Sequence, residues 1–229
     1  FLPHYNRFAV GRLPVEMDVH YFGDRAKGGA GLIICGFGAN VCGDFAHHIG
    51  GSFMDATNPK VVERYKRIAD KVHQHGAHIA AQLIHAAGSG WGIGEPKGLT
   101  GLDWILNYSA SARFAGGEDS TIIREMSRDD IQRAIEGYVK AARNVVAAGF
   151  DGIEIRMNDG LGYEFTSALT NRRTDEYGGT LEKRLRFVLD VIHGVREEVG
   201  PDVLLDPRVL VDEIKPGGYG LEEGQEIAR

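Results

Sequence analysis

Four short apolar runs, each followed by a long amphipathic stretch, set the strongest limit on what this chain can fold into. Gly31 to Gly36, His78 to His85, Asp151 to Arg156 and Val203 to Val209 read as strands, with Phe1 to Pro3 as the end of an earlier one. Helices are expected over Pro14 to Lys27, Pro59 to His75, Ser127 to Ala148 and Leu181 to Val199. Each carries an apolar stripe at helical spacing or stops at glycine, and Ser127 with Asp129 and Asp130 makes an N-terminal cap and first turn. Strands apolar on both faces, spaced by amphipathic helices, imply a parallel sheet covered by helices. The Gly-rich and polar segments follow the strands, as the active-site loops of a TIM (β/α)8 barrel do. A doubly wound open sheet is the structural alternative. No G-x-G-x-x-G opens a helix after a strand, since Gly36-Phe37-Gly38 runs on into Ala39-Asn40-Val41.

About five strand positions are present where a barrel has eight, so the expected unit is one incomplete α/β barrel domain over residues 1–229. The chain opens on Phe inside an apolar stretch, and Leu221 to Arg229 reads as a helix just begun. Both ends are therefore expected to be cut from a longer protein. Ala86 to Glu125 is too long for an ordinary connection and is expected to cover the barrel mouth.

A net charge of −6 and a pI near 5.9 argue against nucleic-acid and anionic-membrane partners. No apolar run reaches the ~20 residues of a spanning helix. Cys35 and Cys42 are the only cysteines and make neither a disulfide framework nor an iron–sulfur ligand set. No secretory leader is visible, and free thiols fit a reducing cytoplasm. His47-His48 and His73-x-His75 lack a surrounding carboxylate cluster, so no metal is expected within this segment.

Active sites of barrels lie at the C-terminal ends of the strands. That rule selects Pro3, His4 and Tyr5; Cys35 and Gly36; Gln82 and His85; Arg156, Asn158 and Asp159; and Arg208. Each has a bland reading alone. A glutamine at a strand end and an arginine on an exposed strand are both common.

The stretch Asn171 to Phe187 (NRRTDEYGGTLEKRLRF) holds four arginines, three carboxylates and a paired glycine turn. It resembles the N-x-R-x-D-x-Y-G-G-S-x-E-N-R-x-R-F signature of the old yellow enzyme family, departing at Thr180 and Lys183. Gly28-Gly29-Ala30-Gly31-Leu32-Ile33-Ile34 is similar to that family's G-G-x-G-L-I-x strand, and Gln82-Leu83-Ile84-His85 to its Q-L-x-H run. The arginine that closes that run in the family is absent here, where Ala87, Gly88 and Ser89 follow.

The resemblance implies FMN. An isoalloxazine ring wants an amide at its N3–H and C4=O edge and a cation near N1, and Gln82 and Arg208 look like those positions. The backbone at Cys35 and Gly36 would face the ring. Pro3-His4-Tyr5 is similar to the Pro-His-Cys of the trimethylamine dehydrogenase branch, and Tyr5 in the cysteine's place implies non-covalent FMN. That branch often adds an iron–sulfur cluster and an NAD(P)H- or FAD-type nucleotide domain after the barrel.

Ene-reductases of the family read E-I-H-x-A-[HN]-G-Y after the fourth strand. Here Arg156 replaces the first partner, Asp159 the second and Leu161 the tyrosine, with Tyr163 two residues on. A guanidinium suits a carboxylate and a carboxylate suits an ammonium. Arg156, Asp159 and Tyr163 are therefore the candidate catalytic residues. His85, Arg156, Asn158 and Asp159 are the candidate substrate contacts, for a small zwitterion. The simpler reading is that Arg156 and Asp159 pair with each other and orient the loop. The expected reaction is oxidative demethylation of an N-methylated amine or amino acid. A second expectation is an NAD(P)H-dependent ene-reductase like 2,4-dienoyl-CoA reductase, and a third is a non-catalytic barrel fragment. A homo-oligomer is compatible with the reading.

Overall fold

The computed structural model describes residues 1–41, 53–85, 107–114 and 122–229. The elements run α1 (Glu16–Lys27), β1 (Leu32–Asn40), α2 (Val61–His73), β2 (His78–Ile84), β3 (Asn107–Ser109), β4 (Arg113–Phe114), β5 (Ile122–Glu125), α3 (Arg128–Ala147), β6 (Gly152–Arg156), α4 (Gly160–Thr166), α5 (Leu181–Val199), β7 (Leu204–Arg208) and α6 (Leu221–Ala228).

The main sheet has the order β1-β2-β6-β7, every pair parallel. Strand order follows chain order without reversing. A doubly wound sheet would reverse at its switch point, so the progression is that of a barrel wall. The helices pack in the same sequence: α1 on α2, α2 on α3, α3 on α5. Ile33, Cys35, Ile79, Ala81, Leu83, Ile153 and Ile155 join the helix-facing core with Phe22, Tyr65, Tyr138 and Phe187. Because strand side chains alternate, the intervening residues Gln82, Glu154 and Arg156 point to the opposite face. Burying one large aliphatic side chain contributes roughly 1.5–3 kcal/mol, so this row fixes which face of each strand turns inward.

The four main strands and the four helices expected are present, with shifted ends. α1 and α2 start two residues after Pro14 and Pro59. β1 continues past Gly36 to Asn40, because a register shift between Cys35 and Ala39 lets Ala39 and Asn40 resume pairing with Leu83 and Ile84. Phe1 to Pro3 forms no strand, yet it lies along β1: Phe1 N donates to Leu32 O and Ile34 N donates to Phe1 O at 2.9 Å. Gly36 permits this approach, since a Cβ there would collide with Pro3 and with His4 N. β7 pairs only with β6 among the described strands and carries Pro207.

The stretch read as a mouth-covering loop lies largely outside the described residues. Its described parts are not irregular: β3, β5 and β4 form a separate small sheet, β3-β5 parallel and β4-β5 antiparallel. Cys42 and His47-His48 lie outside the described residues. No helix among the described residues is long and apolar enough to cross a membrane. α4 has no counterpart in the sequence reading. Gly160 and Gly162 lower its propensity, and packing overrides it, with Leu161 and Phe165 fully buried.

The signature loop acts as a clamp. Arg173 donates to Ala110 O at 3.0 Å and Met126 O at 2.7 Å, and forks onto Asp175. Asn171 Nδ2 donates to Phe165 O and Tyr177 O. Arg184 donates to Thr166 O and Gly179 O, and pairs with Glu223. These bonds tie α4, α5 and the segments flanking the small sheet together. Replacing Arg173 by Met leaves two buried carbonyls and a carboxylate unmatched. Arg173→Met is expected to lower unfolding free energy by roughly 3 kcal/mol in urea denaturation, and a loss below about 1 kcal/mol would contradict the clamp.

Candidate functional site

The parallel register sets the site. Gln82 of β2, Glu154 of β6 and Asp206 of β7 occupy one rung, and Arg156 stands opposite Arg208 two residues further on. Gln82 and Glu154 are almost fully buried. Gln82 Nε2 donates to Glu154 Oε1, and Arg208 Nη1 lies 3.9 Å from the same oxygen. Arg156 Nη1 reaches Gln82 Oε1 at 3.4 Å, while its Nη2 donates to Asp159 Oδ2. Gln82, Arg156, Asp159 and Arg208 are thus joined at the C-terminal ends of three adjacent strands. The Arg156–Asp159 pair is the simpler of the two arrangements expected for these residues. It is incomplete: Arg156 Nε, Asp159 Oδ1 and Asn158 Oδ1 are buried and have no hydrogen-bond partner among the described residues. Burial raises the Glu154 carboxyl above its usual range, against the opposing pull of the Gln82 bond and Arg208.

His85 follows β2. Its N–H donates to Tyr138 Oη and its carbonyl accepts from Leu161 N. Burial pushes its imidazole down to about 3, so near neutrality it is an uncharged group. Gly160 turns the chain from β6 into α4 with φ +58, and a Cβ there would collide with His85 O.

The other candidates make different contacts. The Cys35 side chain faces the helix layer, fully buried, where burial and then Asp18 raise its thiol. His4 is exposed and meets Tyr21 of α1 through Nδ1 at 3.0 Å. Tyr5 stacks near Phe53, with ring centroids 4.9 Å apart. Pro3 sits against Gly36. Tyr163 donates to Glu213 Oε2 at 3.1 Å, and burial, with Glu213 adding to it, raises its hydroxyl. His73, read as a surface or capping residue, bonds Asp151 through Nε2 at 2.8 Å.

Sequence reasoning named Glu154 only as a motif letter. A carboxylate inside the apolar run GIEI was the available signal. It also missed the buried group in which Ser109 Oγ and Arg113 Nη2 each lie 2.7 Å from a Glu164 oxygen. Arg113 lies in the stretch expected to be a loop and begins β4.

The fold has known counterparts. Residues 4–228 match the NADH:flavin oxidoreductase / NADH oxidase family. The chain belongs to that family. Among curated relatives, the N,N-dimethylglycine/sarcosine dehydrogenase of Chromohalobacter salexigens is 32% identical over 219 residues, 95% of this chain and 30% of its own length. The NADH oxidase of Thermoanaerobacter brockii is 35% identical over 214 residues, 92% of this chain and 31% of its own. A solved 2-naphthoyl-CoA reductase complex superposes with a TM-score of 0.86 at 27% identity, covering all of this chain and 35% of that one. The chain therefore spans about a third of the length of these family members. The barrel-wall topology is the part of the family fold that it carries.

Two outcomes check the geometry. Gly160→Ala is expected to cost about 2 kcal/mol or more in urea denaturation, from the left-handed backbone and the collision with His85 O. His85 unfolds to an ordinary imidazole that gains a proton near pH 6.5, while the folded group stays neutral until about 3. Its contribution is thus complete above the unfolded value and lost on acidification through this window, with a slope approaching 1.4 kcal/mol per pH unit. His85→Gln is expected to remove that slope in urea denaturation at pH 4 to 7.

Proposed function

We propose that residues 1–229 form part of an FMN-binding barrel domain in an oxidoreductase that demethylates an N-methylated amino acid or amine. The observation that carries this reading is the convergence of the Gln82 amide and the Arg208 guanidinium on one buried oxygen of Glu154. An amide and a cation on the two strands that flank β6, at the catalytic end of a barrel, form the donor set that a flavin's pyrimidine edge requires. FMN bound there supplies a two-electron acceptor for hydride. Tyr5 offers no thiol, so the cofactor is held non-covalently.

Arg156 and Asp159 then act on the substrate. They neutralise each other, and each keeps a buried atom without a hydrogen-bond partner among the described residues. A carboxylate can take the free edge of the guanidinium and an ammonium the free carboxylate oxygen, so a zwitterion enters without leaving net charge buried. Asp159 takes the ammonium proton, and loss of hydride from the N-methyl carbon to the flavin then leaves an iminium, which water hydrolyses to formaldehyde and the demethylated amine. The likeness to a dimethylglycine/sarcosine dehydrogenase supports this substrate class. Reduction of an activated C=C bond fits less well. It needs a proton donor, yet Leu161 is buried in the core and the Tyr163 proton is engaged by Glu213. The buried free thiol of Cys35 accords with a cytoplasmic setting.

Assay of the full-length protein on dimethylglycine and on cyclohexenone separates the two reactions. Formaldehyde release from dimethylglycine is expected. Arg156→Gln is expected to raise its KM roughly ten- to a hundredfold, the loss of one charged hydrogen bond. Turnover of the enone with none of the N-methyl substrate overturns the reading.

A further inference from the structure

We infer that Glu154 is a positioning residue that fixes which way the Gln82 amide faces, turning its NH2 inward and its carbonyl oxygen toward the site. The inference rests on the flavin reading above and concerns a residue that reading used only as a landmark.

The chemistry of the contact leaves one orientation. An ionised carboxylate only accepts hydrogen bonds, whereas a glutamine side chain carries a donor at one end and an acceptor at the other. The two groups face each other across one rung, both nearly fully buried. Only Nε2 can meet Glu154 Oε1, and it does. Oε1 is then presented on the outer side, where Arg156 Nη1 stands at 3.4 Å, too long for a strong bond. The Gln82 carbonyl therefore remains available to a ligand's N–H, such as an imide group. Turning the amide over would set its oxygen against a buried carboxylate, two acceptors with no proton between them.

Protonation of Glu154 removes the constraint, because a carboxylic acid can donate to the amide oxygen and release Nε2 outward. The charged groups facing Glu154 are Arg208 and Asp206 on β7 and Arg156 on its own strand, while β2 brings the neutral Gln82. Burial favours the protonated form and the two guanidiniums oppose it, so the switch falls at or above the ordinary carboxylate range. The preferred ligand of the site thus changes with pH: an N–H donor above the transition, an acceptor below it.

The test uses Glu154→Gln, which keeps volume and hydrogen-bonding capacity but can face the amide either way. The 15N-resolved signal of the Gln82 side-chain NH2 needs no bound cofactor. In the wild type it is expected to be protected from solvent exchange at neutral pH and to shift in a single acid titration. In Glu154→Gln that titration disappears. With FMN and the full-length protein, fluorescence quenching is expected to show binding weakened about tenfold by the substitution. The wild type is expected to lose affinity as pH falls through the same transition, and the variant is not. A Gln82 signal indifferent to both pH and the substitution overturns the inference, as does FMN binding that the variant leaves unchanged in strength and pH profile. Gln82 behaving as expected in a wild type that binds no FMN supports the orientation and counts against the flavin reading alone.

Discussion

The site depends on the parallel register of three strands. Side-chain direction alternates along a strand, so a slip of one residue between β2 and β6 would send Glu154 into the helix layer and an isoleucine toward the opening. The register resists this because Ile153, Ile155, Ala81 and Leu83 fill the helix-facing core, and misplacing them would bury a carboxylate among apolar side chains. Apolar packing on one face therefore determines the polar chemistry on the other. No residue of the site needs to choose its own position. Each inherits it from the neighbour that packs behind the sheet.

Much of the architecture was readable from residue order. The runs at Ile33, Ile79 and Ile153 and the stripe of α2 gave the alternation of strands and helices, while the choice between barrel and open sheet came from the strand order of the folded chain. Elements that owe their form to distant contacts were not readable. α4 contains two glycines and is held by Leu161 and Phe165 in the core. The small sheet of β3, β5 and β4 has strands of two to four residues, too short for any periodic pattern to register. The site was legible where strand position fixes side-chain direction, as for Gln82, Arg156 and Arg208. It was not legible where a side chain could swing either way. His4 turns to Tyr21, Tyr163 turns to Glu213, and nothing in the order of residues specifies those choices.

The motif that announced the family most clearly does little that could touch a ligand. Arg173 and Asn171 are buried and spend their hydrogen bonds on backbone carbonyls of neighbouring elements, and Arg184 does the same for α4. A guanidinium is suited to this because its several donors lie in one plane and can satisfy separate carbonyls at once. The most recognisable stretch of a chain can therefore be its scaffold, with the chemistry carried by isolated residues such as Glu154.

Pro207 has a consequence for the far rim of β7. Leu204 N donates to Asp151 O, so the even-numbered amides of this strand face β6 and the odd-numbered ones face away. Pro207 carries no N–H, which leaves Leu205 as the sole amide donor within β7 on that side. Any strand that settles there must draw its hold from side-chain packing more than from the backbone ladder.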